Sequence, residues 1–273
     1  MRDEVAVITG AANGIGRHFA SEMAKREYRL VLTDIDFAGL SGAFEPNVDL
    51  VLLEHDIRDR DRWQKVFDEV ETRFGRLDYL FNNAGVIQPG YVWEADLDDI
   101  DRQIDVNVKG VMIGTILASR VMREQGRGHI INVASLTGVA PVAGLDIYSA
   151  SKFAVRGFSL AAAHGLHGSG VAVTVVCPDL VDTAMLDLQL DYDASALAFS
   201  GSRSLTVDQV SRALFRAMET RPMEIDLPLS RGLLTKIGNL MPGLATLLTR
   251  TLTAKGLKTI NRMRRERDEA RGS

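Results

Sequence analysis

Tyr148 and Lys152 stand four residues apart in the run Tyr148-Ser149-Ala150-Ser151-Lys152, one turn of a helix. A free phenol ionises at about pH 10, too high for proton transfer near neutrality, but a cation one turn away favours the phenolate. The pair is a candidate for moving a proton at an oxygen atom. Ser135, at the end of an apolar run, is placed to donate a hydrogen bond to that oxygen, because doubly wound sheets hold ligands beyond the carboxyl ends of their strands.

A second chemistry lies near the N-terminus. Thr9-Gly10-Ala11-Ala12-Asn13-Gly14-Ile15-Gly16 joins the first apolar run to a helical pattern. Small residues there let the backbone approach a pyrophosphate, and the helix start supplies N–H groups and a favourable dipole. A glycine cluster alone is commonly a tight turn; its strand-to-helix position is what implies a dinucleotide. The second apolar run ends at Leu32-Thr33-Asp34, about 20 residues on, where a carboxylate accepts hydrogen bonds from ribose hydroxyls. Asp34 would also repel the additional phosphate of NADP, and Asn13 brings no compensating cation, so NAD is favoured. Arg17 reads as a solvated first-turn residue. Asp56 is open to two readings, contact with the adenine edge and a helix cap ahead of Arg58.

These residues need a frame that brings them together. Short Val/Ile/Leu-rich runs near 4–9, 29–33, 49–54, 77–82, 128–134 and 170–177, with a weaker one near 223–227, alternate with stretches of helical periodicity. Near-continuous apolar runs such as HIINVA and VAVTVVC predict strands buried on both faces, hence a mainly parallel, seven-stranded, doubly wound α/β sheet. No Pro/Gly/Ser-rich linker divides the 273 residues. Residues 1–228 read as one Rossmann-type domain, and 229–273 as a helical extension of two or three short helices broken around Pro242-Gly243 and Lys255-Gly256.

The ordered set Thr9 to Gly16, Asn82-Asn83-Ala84-Gly85, Ser135 and Tyr148 to Lys152, with Asn107 in DVNVKG, resembles the short-chain dehydrogenase/reductase family over roughly residues 4–227. Members carry TGxxxGxG, NNAG, a strand-end serine and YxxxK in that order. The resemblance implies an NAD(P)-dependent oxidoreductase acting on CH–OH groups, with Asn107, Ser135, Tyr148 and Lys152 as its catalytic residues. It implies cofactor contacts at Gly10, Asn13, Gly14, Ile15, Gly16, Asp34, Asp56, Ile57, Asn83, Ala84, Gly85, Tyr148, Lys152, Pro178, Asp179, Val181 and Thr183. In this reading Lys152 also holds the nicotinamide ribose, Asn107 anchors a relay water, and Val181 and Thr183 meet the carboxamide. A homodimer or homotetramer is implied by the same resemblance.

One position departs from the family. Pro-Gly is usual after the sixth strand, whereas this chain has Pro178-Asp179. Glycine would permit a positive backbone angle, which aspartate tolerates better than most residues. Two readings follow for Asp179: a charge beside the nicotinamide that favours the oxidised cofactor, or a carboxylate turned to solvent.

The segments 86–95, 136–147 and 182–204 are expected to wall the substrate. Ile87, Tyr91, Trp93, Leu136, Val142, Leu145, Met185, Leu186, Leu188 and Leu190 suit a hydrophobic alcohol or ketone, although some could pack beneath the lid instead. Asp182, Asp187, Asp191 and Asp193 have no basic neighbour before Arg203, which disfavours an anionic substrate. His18, His55, His129, His164 and His167 show no metal-binding spacing; no metal is expected.

Composition narrows the classes. Apolar residues make up 46% and charged residues 25%, which excludes global disorder. The single cysteine, Cys177, precludes an intramolecular disulfide and fits a reducing cytoplasm, with a buried inert thiol expected. No stretch reaches the roughly 18 uninterrupted apolar residues that span a bilayer, and nothing reads as a signal peptide or a nucleic-acid surface. Residues 229–273 carry ten Lys/Arg against three Asp/Glu. With Leu233, Leu234, Ile237, Leu240, Leu244, Leu247 and Leu248 this basic tail would allow weak contact with anionic lipid; packing on the core or a second subunit is preferred. A non-catalytic NAD-binding regulatory or assembly protein and a sugar-nucleotide epimerase or dehydratase are the competing readings. The intact Ser135, Tyr148 and Lys152 oppose the first. The glycine spacing and the lack of a separate substrate domain oppose the second.

Overall fold

The seven apolar runs form seven strands: β1 (Val5–Thr9), β2 (Arg29–Asp34), β3 (Leu50–Glu54), β4 (Tyr79–Asn82), β5 (Gly128–Val133), β6 (Val171–Pro178) and β7 (Glu224–Leu227). They are seen in a computed structural model that describes residues 3–272 other than Ser202 and Met241, with the side chains of 242, 244, 245 and 270–272 also outside the description. The strands make one sheet in the order β3-β2-β1-β4-β5-β6-β7, and every neighbouring pair is parallel. The expected sheet is therefore present, with its weakest run as the edge strand β7.

Alternation along the strands sends side chains to two cores. Ala6, Ile8, Leu30, Leu32, Phe81 and Val176 meet α1 (Gly14–Ala24), α2 (Phe37–Ala43) and α8 (Val207–Thr220). Val5, Val7, Val31, Leu80, Ile130 and Val173 meet α3 (Arg60–Phe74), α5 (Val111–Gln125) and α6 (Asp146–Gly165). Burial on both faces is what near-continuous apolar strands require. A polar seam crosses the second core: Asn82 Nδ2 donates to Asn132 Oδ1 at 2.8 Å and to Thr115 Oγ1 at 3.1 Å, and Asn132 Nδ2 donates to Ser159 Oγ at 2.8 Å. These bonds satisfy the buried amides and fix β4 and β5 against α5 and α6.

The chain leaves the sheet edge at β3 and re-enters beside β1 as β4, so the strand order reverses between β1 and β4. Crossovers diverge there and leave a crevice at the strands' carboxyl ends. α4 (Leu97–Ile104) runs into α5 through one π-helical stretch, Asp105–Gly110, which carries Asn107. After β6, α7 (Ala184–Leu190) and a 3₁₀ segment, Asp193–Ser200, form a lid; α9 (Leu229–Leu240) and α10 (Pro242–Gly272) follow β7.

The expected break around Pro242-Gly243 falls at Met241, outside the described residues, and the one at Lys255-Gly256 is absent: α10 runs unbroken through it. Gly256 serves close packing, because a Cβ there would overlap the Ala196 carbonyl of the lid. One turn on, Ile260 is fully buried against Leu186, Leu190 and Phe199.

Candidate active site

The crevice opens into a cleft of about 1620 Å³, and most of the expected site residues line it: Gly10, Asn13, Gly14, Ile15, Asp34, Asp56, Ile57, Asn83, Ala84, Gly85, Ser135, Tyr148, Lys152, Pro178, Asp179, Val181 and Thr183. Gly16 and Asn107 are not among the lining residues and support it from behind. Gly10 has φ +69° and faces the backbone of Ala84, where a Cβ would come within 2.8 Å of the Ala84 Cα. Thr9 and Asn83 join the two loops: Thr9 Oγ1 accepts from the backbone N–H groups of Asn83 and Ala84, both at 3.1 Å, and Asn83 Nδ2 donates to the carbonyls of Thr9 and Gly10 at 3.1 Å.

These contacts fit a dinucleotide. Asn13, the residue that starts α1, makes no side-chain cap bond, and the first turn holds no acidic residue, so the helix start presents its N–H groups and dipole to an anion. Asp34 takes the backbone N–H of Ala12 at 2.9 Å and that of Asp36 at 3.0 Å, which orients its carboxylate at the end of β2. Asp56 is held by Arg58, whose guanidinium donates at 2.6 and 3.0 Å. Helix capping falls instead to Asp59, which accepts from the N–H groups of Asp61 and Arg62 at 2.8 and 3.2 Å. The capping reading of Asp56 is thereby corrected.

At the centre of the cleft Ser135, Tyr148 and Lys152 come together, and Lys152 Nζ lies 5.5 Å from the Tyr148 ring centre. Ser135 Oγ also accepts from the Thr137 N–H at 3.1 Å. Burial pushes the phenol above its usual range, and the neighbouring Ser135 hydroxyl opposes that rise. Burial also lowers the Lys152 ammonium, to about 8, and its Nζ donates to the Val133 carbonyl at 3.1 Å. The helical spacing thus delivers the expected pair, but this ammonium alone does not offset the burial of the phenol. A phenolate here requires further positive charge in the cleft.

Asn107 is fully buried. Its Oδ1 accepts the Val86 N–H at 2.8 Å, and its Nδ2 donates to the Val86 carbonyl at 2.8 Å and to Ser151 Oγ at 3.0 Å. Its amide therefore clamps the loop after β4 to α6, and a water at this residue would have to be held by the main chain.

Asp179 has an ordinary negative backbone angle; among the described residues only Glu27 and Arg221 show positive φ outside glycine. The expectation of a glycine-like conformation is corrected. The carboxylate is not turned to solvent either, since it pairs with Arg231 Nε of α9 at 2.9 Å. Thr183 reaches the opposite loop, where a Cβ on Gly14 would lie 3.2 Å from the Thr183 methyl.

Of the expected substrate wall, Ile87, Leu136, Val142, Leu145 and Met185 line the cleft, whereas Tyr91, Trp93, Leu186, Leu188 and Leu190 do not. Tyr91 and Trp93 stack on each other at 4.7 Å, with Trp93 75% exposed. Leu186 and Leu190 are buried under the lid against α10. The rest of the wall comes from α9 and α10, through Leu234, Ile237, Leu248 and Leu252.

Two of the four lid carboxylates, Asp191 and Asp193, are paired. Arg264 meets Asp193 at 2.9 Å and Arg267 meets Asp191 at 2.7 Å, and both arginines donate to lid carbonyls, those of Leu190 and Asp187. The argument against an anionic substrate then rests on Asp182 and Asp187 alone. Two arginines of the basic tail are thus spent on the lid and do not support lipid contact; Leu244 and Arg271 lie outside the described side chains. Among the described residues no helix is long and apolar enough to cross a membrane.

Cys177 is buried and burial pushes its thiol up, as an inert core thiol requires. Its sulfur and carboxylate oxygens of Glu224 and Asp226 lie within 4.8 Å of one another. Lys236 supplies the cation there, at 2.7 Å from Asp226 and 3.4 Å from Glu224.

The short chain dehydrogenase profile matches residues 4–192. Human 15-hydroxyprostaglandin dehydrogenase [NAD(+)] is 37% identical over 196 residues, covering 67% of this chain and 70% of that protein. The 3-alpha-(or 20-beta)-hydroxysteroid dehydrogenase of Mycobacterium tuberculosis is 35% identical over 185 residues, covering 67% and 71%. A short chain dehydrogenase/reductase from Burkholderia phymatum solved in complex with NAD superimposes with a TM-score of 0.79 at 28% identity, covering 90% of this chain and 97% of that one. With the glycine loop, the Asn82-Asn83-Ala84-Gly85 loop and the Ser135, Tyr148 and Lys152 cluster gathered in one cleft, the chain is a member of the short-chain dehydrogenase/reductase family of oxidoreductases.

Proposed function

We propose that the protein uses NAD to interconvert a hydrophobic secondary alcohol and its ketone, with Tyr148 as the general acid/base. The observation that carries this reading is that Ser135, Tyr148 and Lys152 line the same cleft as the glycine loop and Asp34, with the Lys152 ammonium 5.5 Å from the Tyr148 ring centre. Residues 1–228 are read as the catalytic unit and 229–273 as an extension that completes its substrate wall. A bound NAD would lie along Gly10, Asn13, Gly14 and Gly16, with its ribose hydroxyls on Asp34 and its nicotinamide end toward Pro178, Val181 and Thr183.

The cofactor supplies a hydride acceptor, and when oxidised a positive charge, beside the carbinol carbon. In oxidation Tyr148 takes the hydroxyl proton while the hydride leaves the same carbon, and in reduction it returns that proton to the carbonyl oxygen. Ser135 donates to the reacting oxygen and holds it against the phenol. The ammonium of Lys152, together with the charge of an oxidised cofactor, favours the phenolate that burial alone opposes. Asn107 keeps the Val86 loop, and so the site wall, in place. A relay water would be held at its main chain.

Asp34 selects NAD: the adjoining loop offers Asn13 and no cation to meet a 2′-phosphate. The apolar lining of Ile87, Val142, Leu145 and Met185 favours prostanoid-like, steroid-like, terpenoid or aromatic alcohols, in keeping with the names of the two relatives. A homodimer or homotetramer in a reducing cytoplasm belongs to the same reading. The test is a panel of such alcohols offered with NAD and with NADP while nicotinamide reduction is followed. Reduction with NAD in clear preference to NADP is expected. Tight NAD binding without turnover across the panel would overturn the reading in favour of a binding protein.

A further inference from the structure

The helix that closes the substrate side of the cleft has no hydrophobic seat. Along α9 only Gly232 is buried, and Leu229 and Leu240 at its ends are 77% and 81% exposed. Yet Leu234, Thr235 and Ile237 of this helix line the cleft. Its attachment to the sheet is ionic. Lys236 meets Asp226, and Gly232 lies against the Asp226 side chain so closely that a Cβ would collide with it. Arg231 meets Asp179 at the carboxyl end of β6, and its guanidinium also covers Gly201 at the end of the lid segment.

Arg231 therefore joins three pieces of the cleft at one point: β6, the lid and α9. The Asp179 side chain is only 12% exposed in this arrangement. Burial raises the Asp179 carboxyl and the Arg231 charge opposes that rise. Charge pairs at such depth are costly to break from one side, because the remaining charge is left without a partner.

We infer that Asp179 and Arg231 are positioning residues, a latch that fixes α9 as the outer substrate wall and so sets how the apolar part of the substrate is bound. This deepens the oxidoreductase reading and rests on it for the kinetic arm of its test. It also replaces a direct electrostatic action of Asp179 on the nicotinamide. An aspartate already neutralised by a guanidinium biases the cofactor charge little, whereas the same pair holds the wall in register.

The test compares Arg231→Met, Arg231→Lys and Asp179→Asn in the full chain. Backbone hydrogen exchange across α9 should accelerate about tenfold or more in Arg231→Met and Asp179→Asn, and Arg231→Lys should restore much of the protection. In Arg231→Met, KM for a bulky apolar alcohol should rise about tenfold, against less than about threefold for a small one, with kcat falling less than about threefold. Both Arg231→Met and Asp179→Asn should move the dissociation constants of NAD and NADH together. Unchanged exchange in α9 would overturn the latch. Opposite shifts of the NAD to NADH ratio in the two variants would overturn it in favour of direct action on the nicotinamide. Exchange and cofactor binding are read without turnover, so a failure of the oxidoreductase reading is distinguishable from a failure of the latch.

Discussion

The sheet and the C-terminal wall are held by different forces. Around the strands, large side chains such as Trp63, Phe19, Phe81 and Met122 are fully buried in two apolar cores, and Asn82, Thr115, Asn132 and Ser159 are paired across elements between them. In the wall, α9 leans on charges from Arg231 and Lys236, and α10 is seated by the short patch of Gly256, Leu257, Ile260 and Met263 with Arg264 and Arg267 at its rim. The residues proposed to move a proton sit on the first region, and much of the proposed substrate wall sits on the second. The family profile ends at residue 192, ahead of α9 and α10. A rigid frame for a shared reaction and a loosely seated wall for a particular substrate are the division this suggests.

The contrast breaks most sharply under truncation. Trp63 is fully buried, stacks near Phe67 and donates its indole N–H to the Ile57 carbonyl at 2.8 Å; Trp63→Ala should cost about 3–5 kcal/mol by denaturant unfolding. Leu233→Ala, on an exposed face of α9, should stay within about 0.5 kcal/mol. Comparable losses would mean that α9 is as integral to stability as the sheet.

Acid should unsettle the sheet through its buried histidines. Burial lowers His55 to about 4 and His129 to about 3 from the usual 6.5 of a free imidazole. Below about 6.5 the unfolded chain binds protons that the folded chain refuses, so stability falls as pH drops from there towards 4, by up to about 1.4 kcal/mol per pH unit for each histidine. Above that window neither histidine contributes. His55→Asn, which keeps a hydrogen-bonding atom toward Thr33, should flatten the slope in urea unfolding measured between these pH values; an unaltered slope would remove His55 from the account.

The smallest of the three effects concerns the cofactor end of the frame. Asp34→Asn keeps an acceptor for the Ala12 N–H and removes the charge, and should narrow the preference for NAD over NADP by about tenfold, roughly 1.4 kcal/mol. Titration of both cofactors by calorimetry checks it, and an unchanged preference would assign the selection elsewhere.

The same division explains what could be read from the amino-acid sequence. Tyr148 and Lys152, the glycine loop and Asp34 were legible because each role follows from residue type and a local spacing that strand and helix geometry then enforces. The apolar runs placed all seven strands for the same reason. The pairings of Arg231 with Asp179, and of Arg264 and Arg267 with the lid, join residues more than fifty positions apart and are decided by tertiary packing. Gly256 misled because a glycine that breaks a helix and one that admits a carbonyl look alike until the neighbour is known. Tyr91 and Trp93 looked like pocket residues from their apolar surface, which they spend on each other. Asn107 kept its importance, but its clamp on Val86 was invisible without the backbone of the β4 loop.

The central claim is that Tyr148 carries the proton at the reacting oxygen. Its most direct test is single-turnover formation of NADH from an active secondary alcohol in wild type and Tyr148→Phe, with NAD binding measured separately. The rate in Tyr148→Phe should fall about 10³-fold while the NAD dissociation constant stays within about threefold. A rate within about tenfold of wild type, with NAD bound normally, would contradict it.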